Sequence, residues 1–337
     1  MAQTPGMEDF SDLLLHVYRL AHEQPLHAFQ DASLDALRRV LPFDSSMWGS
    51  ATPGVAGIDI HTLHLDRQPA EMLSAYEAVK HLDTAAARVM QAPRATLGFD
   101  AAAQFGAPHQ KAISAYGRRF GQRHFFITST ANPANGLTQW ITLFRAHEGA
   151  CGTERERTLL AAVAPHFHQA VGYNRMRHLE ALAPDHAPGG DALKPAQGER
   201  AQAVADLRGT VYHATPAFDA MLRTEWSAQP ARRLPPPLLQ HFASGSARFA
   251  GHTLVVRCHV ERDLMFVNAR PRCAADQLTP REWQIGWLLA QGLSHKEIAR
   301  RLDRAPATVR NHIQTIYRRL DVGSVAALIA ELHAALD

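Results

Sequence analysis

The sequence has few of the residues that build covalent or metal-linked sites. Its three cysteines, Cys151, Cys258 and Cys273, are isolated and form no Cys-x-x-Cys pair. This spacing predicts neither a disulfide framework nor a zinc site. The 20 histidines are scattered, and His166 and His168 lie two residues apart on a predicted helix, so they point to different sides. We therefore expect no metal, haem or other cofactor.

Long apolar runs and common catalytic motifs are also missing. No run of about 18 apolar residues occurs, as a membrane-spanning helix would need, and no N-terminal segment resembles a signal peptide. We therefore expect a soluble, cytoplasmic protein without a membrane partner. The sequence shows no Walker phosphate loop, no nucleophile–base spacing and no five-fold βα repeat of a phosphorylated receiver. These absences disfavour an enzyme, an ATPase-type regulator and control by phosphorylation.

The chain does contain enough apolar sequence for several cores. With 337 residues, 46% of them hydrophobic, it is predicted to form two or three domains. The net charge of +3 is small, so attraction to a polyanion would have to come from local clustering. Such a cluster lies near the C-terminus, between residues 296 and 319, where Glu297 and Asp303 are the only acidic residues. The basic residues of this cluster are Lys296, Arg300, Arg301, Arg304, Arg310, Arg318 and Arg319.

Four helices are predicted in the C-terminal region. The segments 279–282 (Thr-Pro-Arg-Glu) and 294–297 (Ser-His-Lys-Glu) are capping boxes, in which the first side chain and the Glu satisfy each other's backbone amides. Pro306 suits the first turn of a third helix, and Ser324 can cap a fourth. Gly292 suits the C-terminus of the first helix.

The third of these helices has one apolar and one polar face. Its apolar stripe consists of Val309, Ile313, Ile316 and Leu320. The side chains that then face away are Arg310, Asn311, Gln314 and Arg318. Arg suits the hydrogen-bonding edge of guanine, and Asn or Gln suits that of adenine. Taken alone, this face also fits the solvated side of a small helical domain.

The succession of these segments resembles the helix-turn-helix of LuxR-type transcription regulators. The segments that carry the resemblance are 278–282 (LTPRE), 291–299 (QGLSHKEIA) and 307–313 (ATVRNHI). The resemblance implies an all-α, four-helix domain at residues 276–337 that binds double-stranded DNA. It implies base reading by Arg310, Asn311 and Gln314. It implies phosphate contacts by Lys296, Thr308 and Arg318.

Further expectations follow from the same resemblance. Binding as a homodimer is expected, and RNA polymerase is a candidate further partner. The fourth helix offers Val325, Leu328, Ile329 and Leu332 as an interface, although these residues could instead only close the bundle. Three positions depart from the family pattern. Ala305 replaces a capping Ser, Val325 replaces a basic residue, and Gly286 replaces a core Leu, leaving a space that Trp283 or Trp287 could fill.

Residues 1–180 are predicted to form a mixed α/β domain. Amphipathic helices open it, and strands are expected near 45–50, 57–65, 124–130 and 137–145, with a turn signal at Asn135-Gly136. A capping box at Thr153–Glu156 starts a long helix. This arrangement resembles GAF-like and autoinducer-binding domains in architecture, which implies a small-molecule sensor.

Candidate ligand-binding residues follow from that resemblance. Tyr76 and Asp83 match part of the pattern of lactone receptors, but the accompanying Trp and Pro are missing. The alternative is that Tyr76 packs in the core and Asp83 caps a helix over Thr84–Met90. For a pocket of some kind, the candidates are Trp48, Tyr76, Asp83, Phe126 and Trp140, because pockets combine aromatic walls with few polar groups. Aromatic residues at strand spacing equally fit a plain core.

Two further segments precede the C-terminal region. Residues 181–200 are rich in Pro and Gly, which predicts a linker. Residues 201–273 resemble a short PAS-like α/β domain, with strands that turn at Asp206–Gly209, a helix from about Pro216 and a strand pair at 254–258 and 264–268. Its shortness favours a spacer that transmits a signal or dimerises over a second sensor.

These parts predict a one-component transcription regulator in which a small molecule bound by residues 1–180 alters DNA affinity. The alternative is a DNA-binding regulator whose N-terminal region recognises another protein. The sequence leaves open the ligand, the operator, and whether transcription is activated or repressed.

Overall fold

The computed structural model describes residues 7–54, 57–92, 95–131, 136–182, 200–227 and 232–335. Over these residues the chain forms two five-stranded antiparallel sheets with flanking helices, followed by a bundle of helices. The expected succession of α/β regions and an all-α C-terminal region is confirmed. Of the predicted linker, residues 183–199 lie outside the described part of the chain.

The first region, residues 7–182, is built around a sheet with the strand order β2-β1-β5-β4-β3. Its strands are β1 (Ser45–Gly54), β2 (Gly57–Asp66), β3 (Thr96–Asp100), β4 (His124–Ala131) and β5 (Thr138–Arg145). Its helices are α1 (Met7–Glu23), α2 (Phe29–Val40), α3 (Glu71–Glu77), α4 (Thr84–Gln91), α5 (Ala101–Gln104), α6 (Lys111–Arg119) and α7 (Glu154–Ala181). The predicted strands are confirmed as β1, β2, β4 and β5, although Asn135 of the turn signal lies outside the described residues.

Both faces of this sheet are covered, because apolar residues occupy both sets of alternating positions along its strands. On one face, Trp48 and Ile141 pack against α1, α2 and α7. On the other face, Phe125 and Phe144 pack against α3, α4 and α6. The capping box at Thr153 starts α7 as predicted, and the helix turns Val163, Phe167 and Val171 into the first of these cores.

The second region has the strand order β7-β6-β10-β9-β8. Its strands are β6 (Ala201–Asp206), β7 (Val211–Ala214), β8 (Arg248–Ala250), β9 (Leu254–Glu261) and β10 (Leu264–Pro271), and its helices are α8 (Pro216–Glu225) and α9 (Pro236–Ala243). The predicted turn after β6 is closed by Asp206, whose Oδ1 accepts from the amides of Arg208 and Thr210 at 2.9 and 2.7 Å. The predicted strand pair is confirmed as β9 and β10.

The two sheet regions contact each other at the end of α7 and along β1 and β2. Leu179 of α7 is fully buried with Val204 and Phe266 of the second sheet. Tyr212 Oη lies 2.8 Å from Ser50 Oγ, and the Arg175 guanidinium lies 4.7 Å from the centre of the Tyr212 ring. The regions are therefore joined by both apolar and polar contacts.

The C-terminal bundle contains the four predicted helices. They are α10 (Pro280–Ala290), α11 (His295–Arg301), α12 (Pro306–Leu320) and α13 (Val325–Ala334). Both predicted capping boxes form, and the Ser324 hydroxyl accepts from the amide of Ala327 at 3.1 Å. Ala305 precedes α12 without a side-chain cap, as expected.

Two expectations about this bundle need correction. A Cβ on Gly286 would lie 3.5 Å from Leu332 Cδ1 and within 4 Å of no Trp283 side-chain atom, so α13 lines this space and Trp283 does not fill it. Leu328 and Leu332 are fully buried in the bundle core, because α13 packs on α10. They close the bundle and cannot contact a second copy, which leaves Val325 and Ile329 of the proposed interface.

Two features are absent from the described ranges. No helix there is both long and apolar enough to cross a membrane. No group of three or more His, Cys, Asp or Glu side chains is arranged to hold a metal ion in the same ranges. His166 and His168 have different surroundings, since His166 Nδ1 lies 3.1 Å from Tyr18 Oη while His168 is buried beside Trp48.

Candidate nucleic-acid interface

Helix α12 divides its residues between the bundle core and the surface. Val309, Ile316 and Leu320 are buried, and Ile313 is partly buried against the same core. This burial fixes the rotation of the helix and turns its polar side outward. The exposed residues on that side are Arg310, Asn311, Gln314 and Arg318. They are four of the five α12 side chains for which the sequence predicted base or phosphate contacts.

Helix α11 lies beside α12 and brings a second set of side chains to the same surface. Burial of Ile298 and Ala299 leaves Lys296 exposed. His295 Nε2 lies 3.4 Å from a guanidinium nitrogen of Arg310, so the two helices approach each other near the start of α12. Lys296 and Thr308, the other two predicted contact residues, are exposed.

An open groove of about 780 Å³ borders the start of α12. The residues that line it are Arg281, Asp303, Arg304, Ala305, Thr308 and His312. Arg281 is held there by donating to the carbonyl of Leu302 at 3.3 Å and to Gln284 Oε1 at 2.7 Å. A helix N-terminus attracts anions, and the groove adds two guanidinium groups. Neither Arg281 nor His312 was assigned to the interface from the sequence. Helical spacing within α12 does not reveal that Arg281 of α10 lies nearby.

The basic cluster predicted from the sequence needs one correction. Lys296, Arg300, Arg301, Arg304, Arg310 and Arg318 are exposed. Arg319 instead forms an ion pair with Glu282 of α10, a side chain that is only 6% exposed, and also donates to the carbonyl of Gln277 at 3.4 Å. Arg319 therefore fastens α12 to α10 and is not available as a free surface cation.

The five predicted ligand-binding residues do not share one site, because the first sheet separates them. Trp48 and Phe126 belong to the core on the α7 face. Tyr76 packs in the opposite core, and Trp140 lies on that opposite face, since its ring would meet a Cβ at Gly49 at 2.6 Å. The physical reason is the alternation of side chains along a strand, which sends neighbouring aromatic residues to opposite faces.

Tyr76 and Asp83 have the arrangement of the alternative interpretation. The Tyr76 hydroxyl donates to Asp83 Oδ2 at 2.7 Å, and Asp83 Oδ1 accepts from the amides of Ala85 and Ala86 at the start of α4. Burial and the nearby Asp83 carboxylate raise the pKa of Tyr76, which keeps its phenol protonated as a donor. Asp83 is thus a helix cap, and both polar groups are satisfied within the protein.

A cavity of about 250 Å³ lies elsewhere in the first region, between the end of the sheet and the start of α7. Phe126 is the single predicted ligand residue among those that line it. The sequence did not point to this place, because five-residue β3, which forms one wall, has too short a pattern to be recognised as a strand.

One segment of the chain is similar to known proteins. The family model described as bacterial regulatory proteins of the luxR family matches residues 276–332. The transcriptional regulator MalT of Vibrio campbellii is 40% identical over 65 residues, and MalT of Klebsiella pneumoniae is 38% identical over 63. Each match covers 19% of this chain, and the chain spans only 7% of each relative's length.

Solved structures give weaker likenesses. The N-acylhomoserine lactone dependent factor CepR2 of Burkholderia cenocepacia is 18% identical, covering 51% of this chain and 98% of that one, with a TM-score of 0.39. SdiA of Escherichia coli is 11% identical, covering 96% of this chain and 97% of that one, with a TM-score of 0.36. Neither score reaches 0.5, so these likenesses carry no conclusion about function.

Proposed function

We propose, from the premise that residues 276–332 form a luxR-family DNA-binding domain, that this chain is a one-component transcription regulator. It binds double-stranded DNA as a dimer, and a small molecule bound by the first region alters its DNA affinity. The observation that carries the proposal is the exposed polar face of α12, held outward by the buried stripe of Val309, Ile316 and Leu320.

The roles of the exposed residues follow from their positions on the helices. A recognition helix reads bases mainly with its N-terminal half, where Arg310, Asn311 and Gln314 lie. Lys296, Thr308 and Arg318 flank them and are assigned to phosphates, which set register and orientation. The groove at the start of α12 would accept a further phosphate beside Arg281 and Arg304.

Dimerisation is required for reading two half-sites, which lie about 34–36 Å apart on one side of the duplex. Helix α13 can contribute Val325, which is 39% exposed, and the half-buried Ile329. Two side chains make a small contact, so most of the dimer interface must come from the sheet regions. Control by a ligand would then act through that interface or through the junctions between regions.

Such control requires that the ligand bind the DNA-competent and incompetent forms with different affinity. A tenfold change in DNA affinity needs about 1.4 kcal/mol of coupling. The contacts of Tyr212 with Ser50 and Arg175 connect the first region to the second and support a path for this coupling. Contact with RNA polymerase is compatible with this function and remains a prediction.

The test is selection of DNA sequences by the purified full chain, followed by footprinting of the selected operator. We expect Arg310→Ala to lose preference for the operator while binding unrelated DNA nearly as well as the wild type. Arg223→Ala removes an exposed arginine of α8 and serves as the matched control, with an unchanged footprint. Retention of full operator preference by Arg310→Ala would contradict the assignment of α12 as the reading helix.

A further inference from the structure

The cavity at the start of α7 contains a row of polar side chains that the proposed DNA contacts do not use. The strand register pairs Asp100 of β3 with His124 of β4, and His124 with Arg145 of β5. Directly paired residues of neighbouring strands project from the same face of a sheet. The three side chains therefore cross the sheet side by side, and all of them line the cavity.

His124 has an unused acceptor at this place. The residue is only 4% exposed, and its Nε2 donates to the carbonyl of Glu148 at 2.9 Å. In the neutral ring the other nitrogen then carries a lone pair. That atom, Nδ1, has no hydrogen-bond partner in the described chain, although it lies 3.4 Å from Asp100 Oδ2. With the ring neutral, His124 Nδ1 and Asp100 Oδ2 are two acceptors that face each other, and a donor bound between them would satisfy both.

The cations around the cavity are already satisfied. Arg145 donates to Glu156 Oε1 at 2.6 Å and Oε2 at 3.2 Å, and to the carbonyl of Pro42 at 2.9 Å. Arg157 is paired with Glu154 and donates to the carbonyl of Thr96 at 3.0 Å. What remains unmatched is acceptor capacity and the negative charge of Asp100.

The positive end of α7 does not reverse this balance. The capping box uses the Thr153 hydroxyl and the Glu156 carboxylate to satisfy the first amides of the helix. Glu154 and Glu156 in the first turn also offset its partial positive charge. The cavity therefore favours a positively charged donor over an anion.

The floor of the cavity is apolar. Phe126 and Leu143 line it, and Gly98 and Gly152 both touch the Phe126 ring. A Cβ at Gly98 would lie 3.0 Å from that ring, and a Cβ at Gly152 would lie 2.1 Å from it. Glycine at both places lets strand and loop close on the ring and keeps the space above it open. The volume of about 250 Å³ lies just under the range of about 300–1,000 Å³ common for ligand pockets.

We infer that this cavity binds a small cationic amine with an apolar body, its ammonium group donating to Asp100 and His124 and its body lying on Phe126. The inference rests on the proposed function only for the meaning of the amine as a signal. The place differs from that of Tyr76, Asp83 and Trp140, which lie on the opposite face of the sheet.

Cys151 provides a direct readout, because it is exposed and lines the cavity. Cys273 is half-buried, and burial raises the pKa of its thiol; burial raises the pKa of Cys258 to about 12. Both thiols should therefore alkylate slowly and act as internal references. The experiment measures iodoacetamide labelling of each cysteine in the full chain by mass spectrometry.

The probes are 2-phenylethylamine, 2-phenylethanol and phenylacetate, which differ mainly in the charge of the polar end. We expect the amine to slow labelling of Cys151 with saturation, the alcohol to act weakly, and phenylacetate to have no effect. Labelling of Cys273 should not change. Equal protection by phenylacetate, or no protection by the amine at millimolar concentration, would overturn the inference.

Asp100→Asn tests the charge without removing the cap. Asp100 Oδ1 accepts from the amide of Ala103 at 3.0 Å, and Asn is an equally good cap, so the variant should melt like the wild type. We expect its Kd for 2-phenylethylamine to rise about tenfold, as for loss of a charge-assisted hydrogen bond. Asp12→Asn, at an exposed position of α1, is the matched control and should keep the wild-type Kd.

An Asp100→Asn variant that keeps the wild-type Kd would also overturn the inference. DNA affinity is measured separately, with and without the amine. Binding at the cavity with unchanged DNA affinity would support the inference and contradict the regulatory part of the proposed function. No protection of Cys151 by the amine in a chain that still binds its operator would overturn the inference and leave the DNA-binding part of the proposed function standing.

Discussion

Arg319 of α12 forms an ion pair with Glu282 of α10, whose carboxylate is buried in the C-terminal bundle. Glu282 is 5% exposed and also accepts from the amide and hydroxyl of Thr279 at 2.8 and 2.9 Å. Burial alone would raise its pKa, but these hydrogen bonds and the Arg319 charge hold the pKa of Glu282 below its usual value. One side chain thus serves both the cap of α10 and the attachment of α12.

Neighbouring arginines of α12 should therefore give opposite results when truncated. Arg319→Ala leaves the buried Glu282 without its cation and should lower the free energy of unfolding by about 1–3 kcal/mol. Arg318→Ala should leave stability within about 0.5 kcal/mol and lower the slope of log K against log salt for DNA binding by about 1. Urea unfolding and salt titrations of both variants check this. Equal stability of the two variants would contradict the structural role of Arg319.

Gly286→Ala should stabilise the bundle. The glycine lies in the middle of α10, and a Cβ there would meet Leu332 Cδ1 at 3.5 Å, an ordinary van der Waals distance. Replacing a mid-helix Gly by Ala contributes about 1 kcal/mol, so the denaturation midpoint should rise. Gly323→Ala, in the turn before α13 with open space around its Cβ position, is the comparison. A drop in stability of Gly286→Ala would show that α10 and α13 pack more tightly than the structure has them.

Asp276 should make the junction between the second region and the bundle sensitive to acid. Its side chain is 2% exposed and pairs with Arg270 at 2.6 Å and Arg248 at 2.7 Å, while Arg270 also donates to the carbonyl of Ala335 at 2.7 Å. Burial opposes ionisation, but the hydrogen bonds and charge of Arg270 and the amide of Cys273 lower the pKa of Asp276.

The direction of this effect follows from the lowered pKa. The stabilisation is complete above the unfolded pKa of about 3.9 and is lost as the pH falls from there towards the lower folded value. Protection of the α13 amides against hydrogen exchange should therefore fall in Asp276→Asn at neutral pH, and it should fall in the wild type as the pH drops below about 3.9. Asp321→Asn, at an exposed position, should exchange like the wild type. Unchanged exchange in Asp276→Asn would disprove the coupling.

His168 should also make the free energy of unfolding depend on pH, but through burial of a neutral ring and not through an ion pair. It is 6% exposed, and neither ring nitrogen has a hydrogen-bond partner in the described chain. Burial lowers the pKa of His168 to about 3. Because the unfolded residue takes up a proton near pH 6.5, protonation favours unfolding, and stability should fall as the pH drops from about 6.5 towards 3.

Replacement of His168 by leucine tests both the cost of its unpaired ring nitrogens and its effect on the pH dependence of stability. His168→Leu removes unpaired polar atoms from the core and should raise the free energy of unfolding at pH 7 by about 1–2 kcal/mol, and it should flatten the profile below pH 6.5. His259→Leu, at an exposed position of β9, should keep the wild-type slope. A steeper acid dependence in His168→Leu would refute the buried, neutral state of this ring.

The elements best predicted from the sequence are those governed by nearby residues. The capping boxes at Thr153, Thr279 and Ser294 form with the expected partners, since each joins atoms three residues apart. The exposed face of α12 was predictable for the same reason, because one apolar stripe fixes the rotation of a helix. The expectations that were wrong involve residues whose actual partners are far away in the chain. Leu332 lies beside Gly286, and Glu282 pairs with Arg319.

The sequence by itself determined where the helices of the C-terminal bundle begin and which residues of α12 face outward, because capping and helical periodicity act over a few residues. Only the tertiary structure decided which face of the first sheet each aromatic residue occupies. Alternation along a strand shows that neighbouring side chains point to opposite faces, but it does not show which face each one takes until the strands pair. The same pairing brings Asp100, His124 and Arg145 into one row, although up to 45 residues separate them. Their juxtaposition is a property of strand register, which the packing of both sheet faces sets.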